Sequence, residues 1–70
     1  MISKTELNSN IAWAIDEFIR SERDRRLLKR RLIDDISFES LASEFELSVR
    51  QCKYIVYRNQ EIVFAHIRME

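Results

Sequence analysis

The sequence predicts an all-α fold, a small domain of four helices. The chain contains no Gly and no Pro, and the tight turns of β-rich folds depend heavily on these two residues. A serine also precedes each of four segments whose apolar residues recur at spacings of three and four, the pattern of N-capped amphipathic helices. We therefore predict helices at about residues 4–20, 22–33, 38–45 and 49–66.

The length, the cysteine count and the apolar runs limit the stability that we expect and the kinds of protein that the chain could be. With 70 residues the chain is expected to form one domain, residues 1–70, whose core alone supplies only a few kcal/mol. Cys52 is the only cysteine, so no disulfide framework is expected. No apolar run approaches the roughly 20 residues of a membrane span, and the N-terminus lacks a signal-peptide pattern. We expect a cytoplasmic protein without membrane attachment, stabilised by tight packing or by self-association.

The first predicted helix begins with two N-terminal signals. Ser3 and Glu6 form a capping-box pattern, and Ile2 and Leu7 are spaced for a hydrophobic staple. Trp13 lies off the apolar stripe and is expected either to cover the edge of the core or to lie in an interface. The stripe itself, beside which Ile19 lies, consists of Leu7, Ile11, Ala14, Ile15 and Phe18.

The second predicted helix is capped by Ser21 and is strongly basic. Its cations either form a solvated helix face or contact phosphates or an acidic partner, and the sequence leaves both interpretations open. The apolar positions are Leu27, Leu28, Leu32 and Ile33, and the interleaved cations are Arg25, Arg26, Lys29 and Arg30.

Charge is segregated along the chain although the formal net charge is zero. Residues 20–31 contain seven cations and two anions, residues 32–46 contain five anions and no cation, and residues 47–58 contain three cations and no anion. The electrostatic field at a surface depends on such blocks rather than on their total. The pattern therefore leaves binding to a polyanion open.

The segment from Ser37 to Arg58 predicts a helix, a tight turn and a long second helix capped by Ser48, that is, a helix-turn-helix. Glu46 lies in the turn, where a residue other than Gly must either adopt a left-handed conformation or reshape the turn, at a cost of about 1 kcal/mol. The inner stripe of the second helix continues through Val49, Cys52, Ile55, Val56, Ile62, Val63 and Ile67, with Tyr57 and Phe64 off the stripe. The outward side chains are Arg50, Gln51, Lys53, Tyr54, Tyr57 and Arg58, a cationic, amide-bearing and aromatic set that suits a nucleic-acid groove.

Four motifs occur in order between Arg23 and Arg58: Arg25-Arg26-Leu27-Leu28, Leu32-Ile33-Asp34, Ser37-Phe38-Glu39-Ser40-Leu41-Ala42 and Leu47-Ser48-Val49. In this order and spacing they resemble the fourth conserved region of bacterial sigma factors, the domain that contacts the −35 promoter element. Asp35 and Glu46 stand where that family usually has glycine. The resemblance implies that Leu47-Ser48-Val49 opens a recognition helix. It also implies a free-standing regulator like those of phages and mobile elements in low-GC Gram-positive bacteria.

Under this interpretation the partner is double-stranded DNA, and the first turns of the last helix enter the major groove. Arg50 is expected to contact guanine and Gln51 adenine, with Lys53 and Tyr54 as further base contacts. The expected phosphate contacts are Ser37, Ser48, Tyr57, Arg58, Arg25, Arg26, Lys29 and Arg30. One such module on a neutral protein binds weakly, so we expect a homodimer, joined through the first helix or the segment around Phe64 and Ile67.

Two other classes of function are left open. A protein–protein interaction module of the same fold, contacting RNA polymerase or another regulator, is favoured by the zero net charge and the acidic block. The other class is a purely structural helical bundle. We expect no enzyme, cofactor, metal or small-molecule substrate, because Cys52 lies on an inner stripe, His66 is the only histidine and Asp34 and Asp35 are adjacent at a helix end.

Overall fold

The computed structural model describes residues 3–67, and all regular secondary structure in that range is α-helical. The predicted all-α class is therefore confirmed. The elements are α1 (Lys4–Phe18), α2 (Glu22–Leu32), α3 (Phe38–Phe45) and α4 (Val49–Ala65). None of these helices is long and apolar enough to cross a membrane.

All four predicted serine caps are confirmed. Each hydroxyl accepts the backbone N–H three residues later, at 3.1 Å for Ser3, 3.3 Å for Ser21, 3.2 Å for Ser37 and 3.0 Å for Ser48. The predicted capping box is complete at α4, whereas among the described residues α1 shows only the Ser3 half. The predicted staple involves Ile2, which lies outside the described residues.

The end of α1 differs from the prediction. The helix ends at Phe18 rather than near residue 20, because Ile19 is extended, with φ −104° and ψ 120°. This change of direction places Ile19 in the core, where it is 4% exposed, and turns Phe18 outward, where it is 37% exposed. The placement of Phe18 on the buried stripe was therefore wrong, and Ile19 takes its place.

Asp35 and Glu46 adopt the left-handed conformation, each with φ 56°. Glu46 ends α3, where its N–H bonds to the carbonyl of Ala42 and the Leu47 N–H donates to the same carbonyl at 2.9 Å. This is the bonding of a Schellman-type helix end. Both bonds satisfy the Ala42 carbonyl, and they stabilise a conformation that costs a non-Gly residue roughly 1–2 kcal/mol. Of the two outcomes expected at Glu46, the left-handed conformation is the one that the structure shows.

The helices enclose one core, and α4 packs against each of the other three. Ile62 was predicted to face inward but is 41% exposed. It is the neighbour of fully buried Val63, and successive helical side chains point about 100° apart. The buried residues are Ile11, Ala14, Ile15, Ile19, Leu27, Leu28, Leu41, Cys52, Ile55, Val56 and Val63.

Candidate nucleic-acid interface

The first half of α4 presents one exposed face, which we call the α4 face. Tyr54 and Tyr57 are 64% and 53% exposed. No aspartate or glutamate occurs from Val49 to Gln60, so no anion of α4 itself lies among these side chains. All six side chains that were predicted to point outward are exposed, namely Arg50, Gln51, Lys53, Tyr54, Tyr57 and Arg58.

One side of the α4 face packs against Phe38 at the start of α3. The rings of Tyr57 and Phe38 meet edge to face, with centroids 5.9 Å apart. The Lys53 ammonium lies 5.7 Å from the Phe38 centroid, and the Arg31 guanidinium lies 4.3 Å from it. Arg31 also donates to the Ile36 carbonyl at 3.0 Å. Lys53 and Tyr57 are therefore positioned by α3 through a shared aromatic ring.

The other side of the α4 face borders a groove, which we call the arginine groove. Leu47 and Ile55 contribute its apolar lining. The start of α2 contributes Arg23 and Asp24, and α4 contributes Arg50, Gln51, Tyr54, Arg58 and Asn59. Arg23 was not among the predicted site residues. No sequence signal separates it from its basic neighbours, because its proximity to α4 arises only when the helices pack.

Gln51 has a structural role that limits its predicted contact with adenine. Its side-chain oxygen accepts the Ser48 backbone N–H at 2.9 Å, completing the capping box. A bidentate contact with adenine uses both the oxygen and the nitrogen of the amide. Such a contact would compete with the Ser48 N–H for the side-chain oxygen of Gln51. The NH2 group of the same side chain takes no part in the cap.

The two serines predicted to lie near phosphate are exposed, but their hydroxyls are already hydrogen-bonded. Ser37 accepts the Ser40 N–H and donates to the Ser40 hydroxyl at 3.0 Å, and Ser48 accepts the Gln51 N–H. The Ser37 hydroxyl both accepts and donates, so it has no hydrogen left for an anion, whereas the Ser48 hydroxyl accepts without donating to any residue in the described range. These helix starts therefore offer an anion the backbone N–H groups of the first turn and, at α4, the Ser48 O–H.

The cations of α2 that were predicted to contact phosphate make contacts within the protein. Arg25 donates to the Ile19 carbonyl at the end of α1. Lys29 forms an ion pair with Asp16 of α1 at 2.8 Å. Arg26 is exposed, and its guanidinium lies 5.6 Å from the Phe45 ring centroid.

Arg30 bridges α2 and α3. It pairs with Glu44 of α3 at 3.1 Å and with Asp34 at 3.5 Å. Together with the contacts of Arg25 and Lys29, these pairs show that much of the basic run holds α2 against α1 and α3, a role that sequence analysis did not predict.

A second exposed surface, which we call the aromatic cluster, joins the end of α1 to the end of α4. Trp13 is 55% exposed and meets Phe18 edge to face, with centroids 5.8 Å apart. Phe18 in turn stacks on His66, with centroids 3.7 Å apart and an interplanar angle of 18°. The His66 Nδ1 lies 2.7 Å from the Ile62 carbonyl oxygen. Trp13 thus lies largely outside the core.

Cys52 is fully buried on the inner side of α4. Burial raises the pKa of its thiol, and this outweighs the opposing effect of the positive charge on Arg23. The protonated thiol therefore packs as a small apolar group, as its position on the inner stripe predicted. Within residues 3–67, no three side chains of histidine, cysteine, aspartate or glutamate converge on a possible metal position.

Comparison with protein-family models, with curated proteins and with solved structures gives no significant match to this chain.

Proposed function

We propose that this protein is a sequence-specific DNA-binding transcriptional regulator, with α3 and α4 forming a sigma-region-four-like helix-turn-helix. The observation that carries the proposal is the α4 face. It combines exposed cations, an amide and two aromatic rings on a helix half that contains no anion. An α-helix with such side chains fits the major groove, where arginine pairs with guanine and amides pair with adenine.

Two backbone conformations support the resemblance on which this proposal draws. Asp35 and Glu46, which stand where the resembled region usually has glycine, both have φ 56°. These are conformations that glycine adopts without steric cost. The backbone at both positions is therefore one that glycine would adopt readily, which is what the resemblance leads us to expect there.

The decisive experiment is selection of bound sequences from a random pool of DNA duplexes, followed by a gel shift with the enriched site. One enriched motif is the expected outcome. The double variant Arg50→Ala, Lys53→Ala should lose binding while keeping its helical circular dichroism. The control is the double variant Lys4→Ala, Arg20→Ala, which removes the same amount of charge from an exposed position in α1 and an exposed position just after it. This control should bind DNA like the wild type. No enrichment and no retention on heparin at low salt would overturn the proposal.

A protein-binding module of the same fold is the second candidate, and one observation favours it. Glu39 and Glu46 are exposed on α3 and in the turn beside α4, and Asp35 is exposed before α3. These carboxylates would repel a phosphate backbone that approached from α3. Specific capture of RNA polymerase by a chain that does not bind DNA would favour this candidate.

The proposal includes a homodimer formed through the aromatic cluster. Its exposed rings are apolar surface that the monomer leaves in water. Tyr54 and His66 are twelve residues apart, about 18 Å along a helix. A two-fold axis near His66 would separate the two α4 faces by up to about 36 Å, which is comparable with one turn of B-DNA.

A further inference from the structure

The arginine groove is a concave, cationic feature beside the α4 face. Arg23 stands on the α2 side, and Arg50 and Arg58 stand on the α4 side. The Arg58 guanidinium lies 6.0 Å from the Tyr54 ring centroid, and both side chains belong to the α4 face as well as to the lining of the groove. The groove has a volume of about 390 Å³ and opens to solvent.

The balance of charge in the groove favours an anionic occupant. Asp24 is the only acid in the lining, and Arg23 contacts it through Nε at 3.2 Å and Nη2 at 3.1 Å. The Asp24 side chain is 19% exposed and that of Arg23 is 53% exposed. The three guanidinium groups and one carboxylate give the groove two positive charges in excess. In the Arg23–Asp24 ion pair, the more exposed partner is the arginine.

The amides of the lining contribute less than the arginines. The Asn59 side chain donates to the Ile55 carbonyl at 2.9 Å, and the Gln51 oxygen is engaged by Ser48. Guanidinium groups are therefore the main donors that the groove presents to a ligand, and they match the geometry of phosphate oxygens.

We propose that the arginine groove holds the phosphate backbone of one DNA strand, with Arg23 and Arg58 as phosphate contacts. This inference rests on the proposed function. A helix in the major groove has a phosphate strand on each side, and the arginine groove lies directly along one side of the α4 face. Continuity with that face favours a nucleic-acid strand over an acidic peptide as the occupant.

Arg23 is accordingly the residue through which the start of α2 contacts DNA. Lys29 and Arg30 of the same helix are paired with carboxylates of α1 and α3. Arg30→Gln is therefore the control for Arg23→Gln, since each variant removes one ion-paired guanidinium of α2; Arg23 is paired with Asp24, and Arg30 with Asp34 and Glu44.

The test measures the affinity of each full-length variant for a selected duplex and for a random duplex across a salt series. Arg23→Gln should weaken binding to both duplexes about tenfold, since a hydrogen bond to a charged group is lost. It should also reduce the slope of log K against log salt by about 0.9, the value for one phosphate. Arg30→Gln should leave the slope unchanged. Asp24→Asn should tighten binding to both duplexes, because it removes the one anion of the groove.

The outcomes separate this inference from the proposed function. If the wild-type protein binds no duplex, the proposed function itself fails. If the wild-type protein binds but Arg23→Gln keeps the wild-type slope, the arginine groove holds no phosphate and only this inference is overturned. If Arg23→Gln abolishes capture of RNA polymerase, the partner tested for the second candidate function, and leaves DNA affinity unchanged, the groove binds protein and the phosphate assignment is likewise overturned. Circular dichroism of each variant confirms that it is folded.

Discussion

Ser48 and Gln51 cap α4 reciprocally: the Gln51 N–H donates to the Ser48 hydroxyl at 3.0 Å, and the Ser48 N–H donates to the Gln51 side-chain oxygen at 2.9 Å. The same glutamine lies on the α4 face and lines the arginine groove. One side chain is therefore placed both to stabilise the start of α4 and to contact a ligand there.

These two roles of Gln51 can be separated by two substitutions. Gln51→Ala removes the side-chain half of the capping box, leaves the Ser48 cap in place, and should lower the free energy of unfolding by about 0.5–1 kcal/mol in urea denaturation. Gln51→Glu keeps an acceptor for the Ser48 N–H and should unfold like the wild type, yet bind DNA more weakly because it adds a negative charge. Equal DNA affinity of Gln51→Glu and wild type would show that this position does not contact DNA.

Glu46 is expected to be a site where glycine stabilises the protein. Its φ of 56° costs a residue with a Cβ roughly 1–2 kcal/mol, and the greater entropy of an unfolded glycine offsets part of the gain. Glu46→Gly should therefore raise the free energy of unfolding by about 1 kcal/mol. Ser43→Gly, at an exposed helical position of α3, is the control and should lower it by about 0.5–1 kcal/mol. A loss of stability in Glu46→Gly would contradict the backbone conformation described.

Trp13 tests the proposed dimer. Because it is 55% exposed, Trp13→Ala should leave the fold intact but shift the protein to monomer in sedimentation equilibrium over a concentration series. Tyr54→Ala removes an exposed aromatic ring from the α4 face, 64% exposed against 55% for Trp13, and should leave the oligomeric state unchanged. Trp13 fluorescence should also shift to shorter wavelength as the wild-type concentration rises. A wild-type protein that stays monomeric throughout the series would exclude the dimer.

Cys52 is expected to lower the free energy of unfolding at alkaline pH. Burial raises the pKa of its thiol above that of the unfolded chain, so the folded state holds the proton more tightly. This contribution is complete below the unfolded pKa, about 8.5, and is lost as the pH rises from there through the folded pKa. Urea denaturation should accordingly show a steeper loss of stability above about pH 8.5 for wild type than for Cys52→Ala. A thiol reagent should modify Cys52 only on unfolding, and labelling at the rate of a free cysteine would contradict its burial.

The interpretation of individual side chains was most accurate where the signal was local. The cap serines and the outward set of the α4 face depend on capping patterns and helical periodicity, which are short-range signals, and the structure confirms them. The errors at Phe18 and Ile62 are at helix ends or beside a buried neighbour. At Phe18 the periodicity does not tell where the chain leaves the helix, and at Ile62 it does not tell which of two adjacent apolar residues is buried.

The sequence by itself determined the all-α class, the start of each helix and the identity of the exposed cationic and aromatic residues of α4, because caps and helical periodicity are short-range properties of the chain. Only the tertiary structure decided which cations remain available to a ligand. Arg25, Lys29 and Arg30 are engaged by a carbonyl and by carboxylates of neighbouring helices. Arg23 is paired with Asp24 of its own helix and borders the same groove as Arg50 and Arg58. The partners of a long charged side chain depend on which helices pack beside it, and that is a long-range property.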